Sequence, residues 1–419
     1  MNQTQALKIL KSGSNVFLTG SAGTGKTFLL NKFIQYLKDE KIKVGITAST
    51  GIASTHIGGT TIHSWSGIGI ASSINDSKIK KFLKGKNPKW KEIRDTKVLI
   101  IDEISMFDSD RLVLVDRVCR EIKDPFLPFG GIQVVVCGDF FQLPPINSGI
   151  EEKSQLAYDS PAWKKARFKV CYLKKQFRQD DKDFVSILND IRSNKTNQKT
   201  LEKIKTRLDK DIEGYEKITK LYTHNRNVDR INNLELSKIK ESEVEYNMSS
   251  QGLVKLIEIL KKNCLAPEIL KLKKGAIVMF VKNNFKEGYV NGTLGTVIGF
   301  NSDNFPIVKT IKGKTIVVAQ ERWDIEKGDM IAATIFQFPL RLAWAITIHK
   351  SQGMSLDAAE IDLSQSFDFG MGYVALSRVR RLSSIKLIGI NENALKVNQE
   401  IIEKDKEFVL LSKENEEEL

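Results

Sequence analysis

The sequence predicts an α/β protein built from two parallel-sheet domains, the second interrupted by a small β-module. Three observations carry this. Over the first 175 residues, the apolar runs "NVFLTG", "KVGITAS", "KVLIID" and "QVVVCGD" alternate with helical stretches, as strands joined by crossover helices do. Between about residues 275 and 327 the runs "GAIVMFVKNN", "GTLGTVIGF", "PIVKTIKG" and "KTIVVAQERWDI" follow one another with only Gly and Asn between them, the pattern of a small barrel. The α/β character then returns at "LRLAWAITIHKSQGMSLDAAEIDLS", residues 340–364, so the β-module reads as an insertion.

The N-terminus "MNQTQALKIL" has no basic segment leading into an apolar one, and no run of 18 apolar residues occurs anywhere. The expectation is a soluble intracellular protein without a membrane partner. Lys and Arg number 65 against 51 acids, a formal charge of +14. That balance favours a polyanionic partner such as nucleic acid, although a plain soluble protein can carry it too. The four cysteines, Cys119, Cys137, Cys171 and Cys264, show no CxxC spacing and read as core thiols in a reducing compartment.

The first strand runs into "GSAGTGKT", residues 20–27, which opens the apolar-periodic helix "FLLNKFIQYL". Strand, glycine-rich turn and helix in that order make a P-loop. Backbone N–H groups wrap phosphate oxygens, Lys26 reaches the β- and γ-phosphates, and Thr27 ligates Mg²⁺. Gly20, Ser21, Ala22, Gly23, Thr24, Gly25, Lys26, Thr27 and Phe28 are the candidate cradle for ATP. After the second strand, "SKIKKFLKGKNPKWKEIRDTK", residues 77–97, reads as a protruding basic insertion.

The third strand, "KVLIIDEISMF", delivers two adjacent carboxylates after an apolar run, a costly placement unless they meet a cation or a proton. Asp102 is assigned to Mg²⁺ through its water shell and Glu103 to polarising the attacking water. The fourth strand ends in "GDFFQLPPI", residues 138–146, where doubly wound sheets place ligand residues. The amide of Gln142 can bond the γ-phosphate or the attacking water there, though a satisfied loop glutamine has the same spacing. Beyond residue 176 a polar helical zone leads to the strand "KITKLYTHN" and a charged helix, and the terminal "KENEEEL" reads as a frayed, solvated end.

"GSAGTGKT", "TASTGIAS", "GGTTIHSW", "IIDEISM", "GDFFQLPP", "QFRQDD", "AITIHKSQGMSLD" and "YVALSRV" occur in one order along roughly residues 5–387. Together they resemble the petite integration frequency (PIF) helicases, a RecD-like branch of superfamily 1. The resemblance implies two RecA-like domains with ATP between them, and translocation along single-stranded DNA from 5′ to 3′ with unwinding of duplex. It implies domain 1 at 1–64 and 98–175, a wedge insertion at 65–97, domain 2 at 176–274 and 328–419, and an SH3-like insertion at 275–327.

By matching positions, Gln5 resembles the adenine-reading glutamine and Gln142 the γ-phosphate sensor. Arg178 and Arg378 resemble the two arginines directed into the cleft, and Lys26, Thr27, Asp102 and Glu103 the phosphate, magnesium and hydrolytic residues. Thr60, Thr61 and His63, with Thr347, His349, Lys350 and Ser351, match loops that meet the DNA backbone, contacts that carry little sequence information. The implied partners are single-stranded and forked or structured DNA, bound by a monomeric motor with dimerisation on DNA left open. The implied setting is a prokaryotic cytoplasm, at the nucleoid. The chain departs from the family at Met371, where a glutamine is usual, and at Trp65, where phenylalanine is common. It has no long extension at either end, which fits a minimal motor. A RecD-like DNA-stimulated ATPase or protein-displacing remodeller, without helicase activity of its own, is the alternative.

Overall fold

A computed structural model describes the chain except residues 69–87, 146–154, 214–217, 283, 285, 290, 312 and 328–329. The chain forms two compact units, Met1–Thr223 with Ile348–Leu419, and His224–Thr347.

In the first unit six strands, β1 (Val16–Gly20), β2 (Val44–Ala48), β3 (Thr60–Thr61), β4 (Val98–Asp102), β5 (Gln133–Cys137) and β6 (Lys169–Leu173), form one parallel sheet in the order β3-β2-β4-β5-β1-β6. Every residue of β1 and β4 is buried, as strands covered on both faces require. Because all strands run the same way, Gly20, Asp102 and Cys137 end at one edge. β5 lies between β1 and β4, so the loop carrying Gln142 emerges between the P-loop and the acid pair. This order, which no single motif reveals, brings the three segments together.

Helices α1 (Gln3–Lys11) and α2 (Lys26–Asp39) cover one face. Leu29, Leu30, Phe33, Ile34 and Leu37 of α2 share a core with Ala6, Ile9 and Leu10 of α1 and with Val16 and Leu18 of β1. Each Val, Leu, Ile or Phe side chain among these contributes about 1.5–3 kcal/mol on burial, and this packing fixes the axis of α2, whose first turn follows the P-loop. Helix α3 (Ser109–Ile122) begins at Asp108, whose side chain accepts the Arg111 N–H, and α4 (Lys182–Arg192) begins at Asp181, which accepts from Phe184. Both are ordinary N-caps.

A second parallel set, β7 (Thr219–Tyr222), β8 (Ala359–Leu363) and β9 (Ile385–Ile390), has β8 in the middle. Helix α5 (Met371–Leu376) packs against β8, and the terminal helix α6 (Gln399–Glu417) follows β9 in the chain. The expectation of a frayed C-terminus is corrected by α6, which runs through the charged stretch to Glu417. Phe408 and Ser412 are buried, Ser412 Oγ accepts the Tyr172 N–H at 3.0 Å, and Asn415 donates to Val170 O at 3.3 Å. Helix α6 thus covers the open edge of the first sheet at β6, a contact that its charged composition conceals.

The second unit holds a five-stranded antiparallel sheet in the order Thr315–Val317, Pro306–Thr310, Leu294–Phe300, Ile277–Phe280, Leu340–Leu342. Its core includes Val278, Phe280, Val297, Val308, Ile316 and Leu340. The run "KTIVVAQERWDI" is divided: Thr315–Val317 joins this sheet, whereas Glu321–Lys327 pairs with Met330–Gln337, which in turn pairs with Ser249–Gly252. The unit takes in residues 224–274 and 328–347 as well as the β-module. Leu236 of the helix Asn225–Lys238 enters the barrel core, and Asn232 donates to Ala345 O at 3.1 Å and accepts the Ala345 N–H at 2.9 Å.

Of the basic insertion expected at 65–97, residues 69–87 lie outside the described residues. Trp65 is buried, with its indole nitrogen 2.7 Å from where a Cβ on Gly45 would sit. It packs the sheet and presents no open stacking face.

Candidate active site

The P-loop turn is fixed by backbone geometry. Gly25, at φ +80°, caps α2, and a Cβ on Gly23 would come within 2.6 Å of the amide oxygens of both Gln176 and Gln179. Only glycine fits both the left-handed backbone and the close approach. Lys26 Nζ donates to Gly20 O at 2.8 Å and Ser21 O at 3.2 Å, so its ammonium is held over the turn. Gln176 donates to Ser21 Oγ at 3.1 Å, and the Phe177 N–H donates to Gly23 O at 2.9 Å. The segment "QFRQ" therefore lies directly against the loop. Phe28 and Phe177 stay exposed at the mouth of the same cleft.

At the entrance to α1, Gln5 Oε1 accepts the Asn2 N–H at 2.9 Å while Asn2 caps the helix, a reciprocal capping box. The side chain that reaches the P-loop is Gln3, whose amide donates to Thr24 O and Gly25 O at 3.4 Å.

Asp102 is almost wholly buried; it accepts the Glu103 N–H at 2.9 Å and a hydrogen bond from the Cys137 thiol. Burial, and then the adjacent Glu103 charge, hold its carboxyl well above the usual carboxylate range. A carboxylate so placed gains from a cation nearby. Glu103 sits at φ +54°, a left-handed backbone that costs a non-glycine residue about 1–2 kcal/mol. Its Oε2 accepts the Gln352 amide at 2.9 Å, and the same amide lies 3.3 Å from Ser105 Oγ.

Two arginines face this pair. Arg378 is 2% exposed and, among the described residues, donates only to neutral groups: Val374 O at 2.8 Å, Met354 O at 3.2 Å, Ser351 O at 3.5 Å and Ser377 Oγ at 2.8 Å. Burial, then the neighbouring Arg178, push its pKa down to about 9. Arg178 donates to Ser377 O at 3.0 Å, and burial lowers its pKa while Glu103 opposes the shift. Among the described residues neither forms an ion pair. A buried and a half-buried cation side by side create a strong local demand for an anion, and both line the cleft that holds Lys26, Thr27, Glu103 and Gln142.

The Gln142 loop is anchored from below. Asp139, fully buried, accepts from Arg192 at 3.0 Å and from the Tyr373 hydroxyl at 3.1 Å, and that hydroxyl accepts the Ala22 N–H of the P-loop at 2.9 Å. Phe140 joins an aromatic cluster with Phe17, Tyr158, Trp163 and Phe408. Phe141 lies under the Arg192 guanidinium at 4.2 Å. Both phenylalanines therefore pack the loop. Gln142 itself is 6% exposed, and its Oε1 is a buried acceptor with no hydrogen-bond donor among the described residues, unusual in a native interior. A water or a protonated phosphate oxygen in the cleft would satisfy it.

The residues matched to DNA-binding loops are placed as follows. Thr60 and Thr61 form β3, at the sheet edge and beside the carboxyl end of β2. Thr60 is exposed, whereas Thr61 Oγ accepts the Ser64 N–H and so caps the helix bearing His63. His63 packs edge-on against Phe107 at 5.6 Å, and His349 is stacked on Phe367 at 6.2 Å. Burial lowers both imidazole pKa values. Lys350 is half-buried, Thr347 is buried, and Ser351 is fully buried with Oγ donating to Ile348 O. Ser351 thus serves its own helix. Met371 is wholly buried at the start of α5, an apolar core position where the family's usual glutamine would be polar.

Sequence reasoning missed Gln3, Gln176, Gln179, Gln352, Asp139, Arg192 and Tyr373. All but Gln3 and Arg192 stand inside the quoted motifs. For Asp139, Gln352 and Tyr373 the signal available was a polar residue in a stretch otherwise buried; its partner, up to 351 positions away for Tyr373 and Ala22, was not legible.

Residues 2–202 match the model of the PIF1-like helicase family, and residues 255–300 match that of the DNA helicase Pif1 2B domain. The chain is 42% identical to the ATP-dependent DNA helicase Pif1 of Psychrobacter sp. (strain PRwf-1), covering 95% of this chain and 69% of that protein. It is 37% identical to the ATP-dependent DNA helicase PIF1 of Danio rerio, covering 96% of this chain and 62% of that protein. Among solved structures, Pif1 helicase from Candida albicans superposes with a TM-score of 0.90 at 36% identity, over 97% of this chain and 98% of the other. Pif1 helicase from Bacteroides in complex with ADP-AlF3 and ssDNA gives 0.84 at 30% identity, over 97% and 96%. The similarity runs through both parallel sheets and the β-rich unit alike, and the chain belongs to the PIF1-like helicase family.

Proposed function

We propose that this chain is an ATP-dependent DNA helicase that moves 5′ to 3′ on single-stranded DNA and separates duplex ahead of it. The observation that supports this best is the pair of guanidiniums of Arg178, half-buried, and Arg378, fully buried, which face the P-loop and form no ion pair among the described residues. Arginines so placed stabilise charge on a transferring phosphoryl group and make turnover depend on closure of the cleft. Bacteroides Pif1, in complex with ADP-AlF3 and ssDNA, is a relative in which both ligands sit on one protein.

In this reading Lys26 holds the β- and γ-phosphates, Glu103 polarises the attacking water, and Gln142 senses the γ-phosphate by donating its amide N–H to it while its orphaned oxygen accepts from the attacking water. Gln5 reads the adenine. The buried Asp102, whose charge is disfavoured by its surroundings, and the Thr27 hydroxyl at the start of α2 fit a hydrated Mg²⁺, which would neutralise phosphate charge. The two parallel sheets act as RecA-like domains, the first at 1–64 with 98–175 and the second within 176–274 with 328–419, of which 224–274 and 328–347 fall in the β-rich unit. Residues 65–97 form a wedge at the fork, and 275–327 an SH3-like element against the strand. Thr60, Thr61 and His63, with Thr347, His349, Lys350 and Ser351, grip the DNA backbone in alternation. The motor works as a monomer on the strand, at the nucleoid of a prokaryotic cytoplasm.

The test is ATPase turnover with and without single-stranded DNA. The parent protein should be stimulated, and Lys26→Ala should lose at least about 100-fold of that turnover while retaining strand binding. Turnover within a few-fold of the parent in Lys26→Ala refutes the P-loop assignment.

A further inference from the structure

The amide of Gln352 makes the 2.9 Å contact to Glu103 Oε2, and it does so from the residue that follows Ser351. Gln352 is 3% exposed, so the contact is shielded from water. Its Nε2 also reaches Ser105 Oγ at 3.3 Å, just past the strand that carries the acid pair, while its Oε1 has no donor among the described residues. A glutamine held only for packing would not spend its donor on a carboxylate and leave its acceptor orphaned in the interior. The helix before it, Ile348–Ser351, carries His349 and Lys350, two of the side chains matched to the DNA backbone. The amide that closes on the hydrolytic carboxylate therefore follows directly on a helix bearing two of the side chains matched to the DNA backbone.

We propose that Gln352 is a positioning residue for Glu103 and the link through which the strand-bound state of residues 347–351 reaches ATP hydrolysis. By holding Oε2, the amide orients the carboxylate and leaves Oε1 for the attacking water. A shift of the helix on engaging DNA moves the amide, and the carboxylate with it. The chemistry needs no covalent step at Gln352. The inference rests on the reading of this site as a DNA-coupled ATPase and adds the residue that couples it.

The experiment measures ATPase kcat and ATP KM for the parent and Gln352→Ala, with and without a saturating oligothymidine strand, alongside strand affinity by fluorescence anisotropy. The ratio of DNA-stimulated to basal kcat should fall about tenfold, the factor equivalent to one charge-assisted hydrogen bond of about 1.4 kcal/mol. KM and strand affinity should stay within about twofold, which a loss of folding or of DNA binding would not allow. In a Glu103→Gln background, adding Gln352→Ala should change residual turnover by less than about twofold, because the two act as one unit. A ratio equal to the parent's, or effects that multiply in the double variant, overturn the inference while leaving the ATPase reading intact. A parent protein indifferent to the strand overturns both.

Discussion

Replacing Arg378 with methionine separates catalysis from stability at one buried position. Among the described residues the guanidinium has no anion, and burial, then Arg178, push its pKa down to about 9, a cost on the order of several kcal/mol for keeping it charged. Against this stand hydrogen bonds to Val374 O, Met354 O and Ser377 Oγ, each contributing about 0.5–1.5 kcal/mol net. Methionine keeps much of the volume, so relief of desolvation and loss of these bonds nearly cancel. Stability without nucleotide should change by less than about 2 kcal/mol, whereas truncating an ordinary buried side chain of this size costs about 3–5 kcal/mol. Turnover should behave otherwise: an arginine that stabilises the transferring phosphoryl group accounts for about 10³-fold or more. The assays are urea denaturation without nucleotide and steady-state ATPase with saturating DNA. A loss of 4 kcal/mol or more, with turnover within about tenfold of the parent, would show Arg378 to be a structural residue and refute the reasoning.

Two further outcomes follow from the same geometry. Asp139→Asn removes the charge facing Arg192, which is buried and whose charged form Asp139 favours against the opposing effect of burial. Breaking such a pair costs about 3–5 kcal/mol, so the denaturation midpoint should fall clearly; an unchanged midpoint would show that Asp405, 3.4 Å from Arg192, carries the cation alone. The imidazoles of His63 and His349 are held below their ordinary pKa of 6.5 by burial. Below that pH the unfolded chain binds protons that the folded one resists, so stability declines as pH falls from about 6.5 towards 5. His349→Gln should make the decline shallower in melting curves taken across that range, and a slope identical to the parent's would contradict the burial of this ring.

The parts legible in the sequence were those whose chemistry is local. "GSAGTGKT" and "IIDE" each place their groups within one turn of backbone, so spacing alone reveals cradle and acids. The apolar runs gave the parallel strands because strands covered on both faces cannot hide their composition. What escaped depends on partners far along the chain. Tyr373 matters because its hydroxyl meets Ala22 and Asp139, and Gln352 because it meets Glu103; neither pairing leaves a periodic trace. The helix through "KENEEEL" was missed because its contacts are made by Ser412 and Asn415, polar residues that bond β6 and that an apolar-periodicity test passes over. The division of "KTIVVAQERWDI" between two sheets escaped for a related reason, since an apolar run records burial and not which neighbour supplies it.

The central claim is that ATP turnover drives directed movement along one DNA strand. The measurement that tests it most directly compares unwinding of two partial duplexes, identical except that one carries a 5′ single-stranded tail and the other a 3′ tail, with ATP and Mg²⁺ present. The account predicts separation of the 5′-tailed duplex only, abolished by Lys26→Ala. Unwinding of the 3′-tailed duplex would contradict the direction, and unwinding of neither, despite DNA-stimulated ATPase, would show a translocating or remodelling ATPase that is not a helicase by itself.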